Sequence, residues 1–235
     1  VITRQGGKTS HFPNPIPTKQ PLQDRMDGMP RTPESVWTHL FQGNRRFMNN
    51  ESAHPNQDMS RREKLTAGQN PGAVVLACSD SRVPVEIIFD QGIGDLFVIR
   101  TAGQITDLSV LASLEYAVVS LGVPLVVVLG HEGCGAVGAA HTALDGGDLP
   151  SGFTRVLIEK VTPSLLAARK DGADDSDAFE RRHVAEIAEH IVDRSPEIQD
   201  RLEDGRVGVV ALRYRMSDGL AETLVTKGVI PDPLT

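Results

Sequence analysis

Leu125-Val126-Val127-Val128-Leu129-Gly130-His131-Glu132-Gly133-Cys134-Gly135 begins as five apolar residues without a polar break and ends in a glycine-spaced loop carrying an imidazole and a thiol. A short run of this kind, closed by glycine and lacking polar alternation, predicts a strand buried on both faces, as in a parallel sheet covered by helices. Ala73-Val74-Val75-Leu76-Ala77-Cys78 and Leu96-Phe97-Val98-Ile99 have the same character, and Val207-Gly208-Val209-Val210-Ala211-Leu212 follows late in the chain. Between the second and third runs, Leu111, Leu114, Val118 and Leu121 recur every three or four residues before Gly122, which predicts a buried crossover helix over 108–121. Further helices are predicted over 135–144, about 155–169 and about 175–194, the last with Phe179, His183, Ile187 and Ile191 on one stripe. At the other end, Thr32-Pro33-Glu34-Ser35 offers an N-cap, a proline at the first helical position and an early acid. Trp37, Leu40, Phe41, Asn44 and Met48 then mark an amphipathic helix to about Asn49. The polar stretch 51–70 contains Arg61-Arg62-Glu63-Lys64, read as a solvated face. The alternation of elements predicts an α/β fold: a single domain with a mostly parallel central β-sheet flanked by helices, preceded by an N-terminal helical arm.

Composition narrows the function classes. The 235 residues are 40% hydrophobic, enough for a core without disulfide staples. The 24 Lys and Arg against 31 Asp and Glu leave a net charge of -7, which argues against nucleic acid or an anionic membrane surface as a partner. No apolar run approaches the roughly 18 residues of a spanning helix, and the polar N-terminus lacks the apolar segment of a signal peptide, so a cytoplasmic protein is expected. Residues 1–31, with Pro13, Pro15, Pro17, Pro21 and Pro30, read as a Pro-rich and flexible arm, and 32–235 as the folded domain.

The sequence holds two cysteines, Cys78 and Cys134, which can be buried inert side chains, one disulfide or two metal ligands. Both lie at the carboxyl ends of predicted strands, where ligands bind in open α/β sheets. If the first and third strands are neighbours, Cys78, His131 and Cys134 converge. Two soft thiolates and an imidazole are a donor set that zinc selects, and three such ligands leave one tetrahedral position open. Two thiolates also neutralise the dication, so a bound water is less acidified than at an all-histidine site and benefits from a proton acceptor. Asp80, two residues from Cys78 and two from Arg82, is placed for that role, with the arginine fork keeping it ionised. Asp80 could equally fill the fourth metal position and close the site.

Cys78-Ser79-Asp80-Ser81-Arg82 and Gly130-His131-Glu132-Gly133-Cys134-Gly135-Ala136-Val137 resemble the two signature segments of the β-class carbonic anhydrases. Asn44-Arg45-Arg46-Phe47, Phe97-Val98-Ile99-Arg100-Thr101-Ala102-Gly103 and Ser113-Leu114-Glu115-Tyr116-Ala117 are similar to family segments in the same order, and coverage runs from about 33 to about 215. The resemblance implies one zinc ion per subunit held by Cys78, His131 and Cys134, with an Asp80-Arg82 dyad assisting proton removal. It implies reversible hydration of carbon dioxide to bicarbonate and a proton via zinc-bound hydroxide, in a homodimer or homotetramer. It also implies, for some members, a closed state in which Asp80 leaves Arg82 and becomes the fourth zinc ligand. Related enzymes hydrolyse carbonyl sulfide or carbon disulfide with the same ligands, and a non-catalytic zinc module is the reading from another class. The glutamine of plant-like members falls at Gly92 here, with Gln91 offset by one, so Gln91 receives no substrate role. His141, His183 and His190 are read as surface or helix-face residues, Ser79 and Ser81 as loop hydrogen-bonders and Phe89 as core. Asp90, Arg100 and Asp107 are read as loop or dimer contacts.

Overall fold

A computed structural model describes residues 31–232. Residues 1–30, and with them nearly all of the expected Pro-rich arm, lie outside the described residues; Arg31 is described, and its guanidinium bonds the side chain of Asn70 and the carbonyl of Pro71.

Among the described residues, five strands form one sheet in the order β2-β1-β3-β4-β5. β1 (Ala73–Cys78), β2 (Leu96–Thr101), β3 (Leu125–His131) and β4 (Gly208–Tyr214) run parallel; β5 (Ala221–Lys227) pairs antiparallel on β4. Among the described residues, eight α-helices surround the sheet: α1 (Pro33–Met48), α2 (Met59–Leu65), α3 (Val85–Ile88), α4 (Leu108–Glu115), α5 (Gly135–Leu144), α6 (Arg155–Lys170), α7 (Ser176–Arg194) and α8 (Pro196–Glu203). Every residue of β1, β3 and β4 is buried, as the unbroken apolar runs require. The pleat sends successive side chains to opposite faces. Val74, Leu76, Val126, Val128 and Val209 pack on one face under Leu114 of α4 and Val184, Ile187 and Ile191 of α7. Ala73, Val75, Leu125, Val127 and Leu129 face Val36, Trp37 and Leu40 of α1 on the other.

α1 begins as its capping residues dictate. Thr32 Oγ1 accepts from Ser35 N–H, and Ser35 Oγ accepts from Thr32 N–H. Asn44, buried on the same helix, donates to the carbonyls of Ile88 and Gly219 and accepts from Ala221 N–H, tying α1 to α3 and β5.

Several expectations are corrected. Among the described residues, β2 is half-buried rather than covered on both faces: it forms a sheet edge, paired there with β1 alone. The crossover helix ends as α4 at Glu115 and continues as one wider turn, Tyr116–Ser120, while Leu108 and Tyr116 face outward. Arg61 is not on a solvated face: it is buried and its guanidinium meets Asp95, which also holds Asn56 Nδ2 and Gly92 N–H. α2, α3, α8 and β5 are elements that the sequence patterns do not announce.

Candidate metal centre

β1 and β3 are adjacent and in register, so the ends carrying Cys78 and His131 lie side by side. Beyond His131 the chain turns through Gly133, at a left-handed φ of 66°, and delivers Cys134 to the start of α5. Gly130 serves by close approach: a Cβ there would sit 2.0 Å from Val184 Cγ2, so only glycine lets α7 press against this strand end. The two sulfurs and an imidazole nitrogen lie within 4.8 Å of one another, all on buried residues.

Hydrogen bonding aims the imidazole. His131 Nδ1 lies 2.9 Å from the Glu132 carbonyl, which can only accept, so Nδ1 carries the proton and Nε2 presents its lone pair to the sulfurs. Nε2 is buried and makes no hydrogen bond, a cost that coordination to a cation would remove. The thiols show the same demand. Their mutual hydrogen bond holds Cys78 far below the ordinary thiol range and, together with burial, pushes Cys134 up. Burial pulls the His131 pKa down, but the Cys78 sulfur, the Glu132 carbonyl and Asp80 outweigh it, so the pocket attracts positive charge.

Asp80 faces Arg82. Its Oδ1 accepts from Arg82 N–H at 2.9 Å and Nε at 3.0 Å, and its Oδ2 accepts from Nη2 at 2.8 Å. The guanidinium holds this carboxyl well below the usual carboxylate range. Asp80 Oδ2 is 3.9 Å from His131 Nε2, so the carboxylate adjoins the cluster while remaining on its arginine. Arg82 Nη2 also reaches the Gly133 carbonyl at 3.3 Å, linking the two loops. A cavity of about 530 Å³ opens over Cys78 and Asp80, walled by Ala102, Ala136, Ala139, Leu157 and Ile158.

The polar residues ranked lower in the sequence reading find structural roles. Arg100 donates to the carbonyls of Cys78 and Asp80, fixing the β1 loop. Ser79 bonds through its backbone N–H to Thr101, Asp107 caps α4, Asp90 pairs with Arg46, and Phe89 is core. Gln91 Nε2 donates to the carbonyls of Phe89 and Asp90. His141 meets Asp145 and the edge of Phe179, and His190 is exposed. Of the surface or helix-face alternatives, His183 takes the helix face: it lies on the buried stripe of α7, between Ser164 and Gly103. Glu180 and Arg213 escaped the sequence reading altogether. Glu180 Oε1 receives the N–H groups of Gly133 and Cys134, and Oε2 receives Arg213. The available signal was a carboxylate beside Phe179 and three residues before His183, on the apolar stripe of α7 where an acid needs a partner.

The sequence profile described as carbonic anhydrase matches residues 73–221. "Carbonic anhydrase 2" of Mycobacterium tuberculosis is 49% identical over 194 residues, covering 82% of this chain and 94% of the relative. The chain is an enzyme of the β-carbonic anhydrase family. A carbonic anhydrase of Mycolicibacterium smegmatis is 50% identical over 190 residues, covering 81% of this chain and 92% of its own length. Among solved structures, the Coccomyxa β-carbonic anhydrase in complex with acetazolamide superposes with a TM-score of 0.62 at 26% identity, covering 82% of this chain and 87% of that one. The carbonic anhydrase profile begins at β1 and ends at the first residue of β5, so it contains Cys78, Asp80, Arg82, His131 and Cys134.

Proposed function

We propose that this enzyme hydrates carbon dioxide reversibly to bicarbonate and a proton, using one zinc ion per subunit held by Cys78 Sγ, His131 Nε2 and Cys134 Sγ. The observation that carries the reading is the buried Nε2 of His131, which makes no hydrogen bond among the described residues and converges with two buried sulfurs within 4.8 Å. Bound zinc supplies Lewis-acid chemistry, bringing the pKa of water down toward neutrality so that a nucleophile for carbon dioxide is available. The chain's own residues do the rest. Ala102, Ala136, Ala139, Leu157 and Ile158 wall the cavity with surface suited to an apolar linear substrate. Asp80, oriented by two bonds from the guanidinium, accepts the proton at Oδ2. Because Arg82 keeps its pKa low, the carboxylate does not retain that proton, and the exposed guanidinium side opens to solvent.

The enzyme is further proposed to work as a homodimer or homotetramer in the cytoplasm, where two free thiols stay reduced. β2 is a sheet edge whose Leu96, Phe97, Val98 and Ile99 are incompletely covered among the described residues, and an edge of this kind is a template for a second chain. No helix among the described residues is long and apolar enough to cross a membrane.

Two variants test the assignment. Cys134→Ser loses zinc and activity together; full zinc content at full rate would overturn the ligand set. Asp80→Asn keeps zinc and loses about 100-fold or more in rate, the size of a proton-transfer contribution. A wild-type rate near neutral pH would remove Asp80 from the mechanism.

A further inference from the structure

Behind both sulfurs stands one helix. Glu180 and His183 are three residues apart on α7, hence on one face, and each is a buried polar group reaching toward a different half of the cluster. Glu180 Oε1 accepts Gly133 N–H at 2.7 Å and Cys134 N–H at 3.2 Å. Its other oxygen accepts Arg213 Nε at 3.0 Å and Nη2 at 2.7 Å, and Nη2 also meets Asp177 Oδ1 at 2.7 Å. The Glu180 and Arg213 side chains are 5% and 3% exposed. A buried ion pair of this kind is costly to desolvate and seldom stabilises a fold by itself, so its placement against the loop carrying Cys134 calls for a local reason.

His183 reaches the other sulfur. Its Nε2 is 2.9 Å from the Gly103 carbonyl, which can only accept, so Nε2 carries the proton and Nδ1 accepts from Ser164 Oγ at 3.0 Å. The same Gly103 donates its N–H to Cys78 Sγ at 3.3 Å. By anchoring the Gly103 carbonyl, His183 holds this residue, at a left-handed φ of 68°, with its N–H aimed at the sulfur, and that bond withdraws electron density from the thiolate.

We propose that α7 is the positioning element of the metal site: Glu180 fixes the backbone that presents Cys134, and His183, through Gly103, sets the donor strength of Cys78. The inference rests on the reading of Cys78, His131 and Cys134 as zinc ligands. Neither residue touches substrate; both act through the ligands.

The test compares wild type, Glu180→Gln, His183→Leu and His183→Gln as full chains. Zinc content is measured first, then zinc release to a chromogenic chelator, then the sulfur-to-metal charge-transfer band of the cobalt-substituted proteins. His183→Leu keeps bulk but removes the donor, whereas the amide of His183→Gln can reach the Gly103 carbonyl. The expected result is stoichiometric zinc in wild type and release about 10–100-fold faster in Glu180→Gln and His183→Leu, the usual size of an outer-shell loss at a metal site. The cobalt band should shift in His183→Leu and return toward wild type in His183→Gln, a response that packing alone does not produce. Should Glu180→Gln fail to fold, the His183 pair decides alone. Wild type with full zinc and His183 variants with unchanged release and spectra would overturn the inference and leave the zinc reading standing. Wild type that holds no zinc would overturn both.

Discussion

His183 shows how a buried histidine ties stability to pH at a point removed from the reacting centre. Burial depresses its pKa below the ordinary 6.5 and keeps the ring neutral in the folded chain. The unfolded chain therefore binds a proton near pH 6.5 that the native chain refuses, so this contribution to stability is present above that pH and is lost as pH falls below it. The slope approaches about 1.4 kcal/mol per pH unit for one proton. Denaturant unfolding between pH 7 and 5 should accordingly show a shallower loss of stability in His183→Gln than in wild type; parallel curves would mean that His183 protonates freely in the native state. Asp80 is the opposite kind of residue, exposed enough to exchange with solvent yet held ionised by a two-point contact with Arg82. The signature loops made Cys78, Asp80, Arg82, His131 and Cys134 legible because each is crowded with unusual residues at short spacing. Glu180 and Arg213 lie far apart in sequence and meet only once α7 packs on β4, so no local pattern could pair them.

Elements locate the residues, and their contacts can be tested separately from chemistry. Gly130 lets α7 pack against β3, and Gly130→Ala forces a methyl into Val184. The expected cost is about 1–3 kcal/mol of overpacking, with looser zinc binding because Glu180 moves with the helix. An unchanged melting temperature with unchanged zinc release would mean that α7 shifts freely. Asn44→Ala, on the opposite face, strands the carbonyls of Ile88 and Gly219 and the N–H of Ala221, and should cost about 1–3 kcal/mol in denaturant unfolding with zinc content intact. β1, β3 and β4 were readable because full burial removes polar alternation. β5 was not: Ala221-Glu222-Thr223-Leu224-Val225-Thr226-Lys227 is polar enough for an edge, and its place is set by its pairing with β4, which brings Glu222 to Arg181 of α7. Arg61 misled in the opposite direction, since a charge cluster on a short helix looks solvated until Asp95 supplies the buried partner.

For the whole molecule, the sheet order places β1 and β3 in its interior, and the Cys78, His131 and Cys134 cluster at their carboxyl ends beneath the cavity. The same order leaves β2 at one margin with half-covered apolar residues. Sedimentation velocity should find a species of at least two chains, and Val98→Lys should lower its mass toward that of the single chain; a wild-type monomer would contradict the proposed assembly. The central claim concerns zinc-dependent hydration, and stopped-flow carbon dioxide hydration with a pH indicator, on zinc-quantified protein near pH 8.5, tests it most directly. A fast rate that disappears on chelation and returns with stoichiometric zinc is the predicted result. Fully metallated protein that leaves carbon dioxide unhydrated would contradict it.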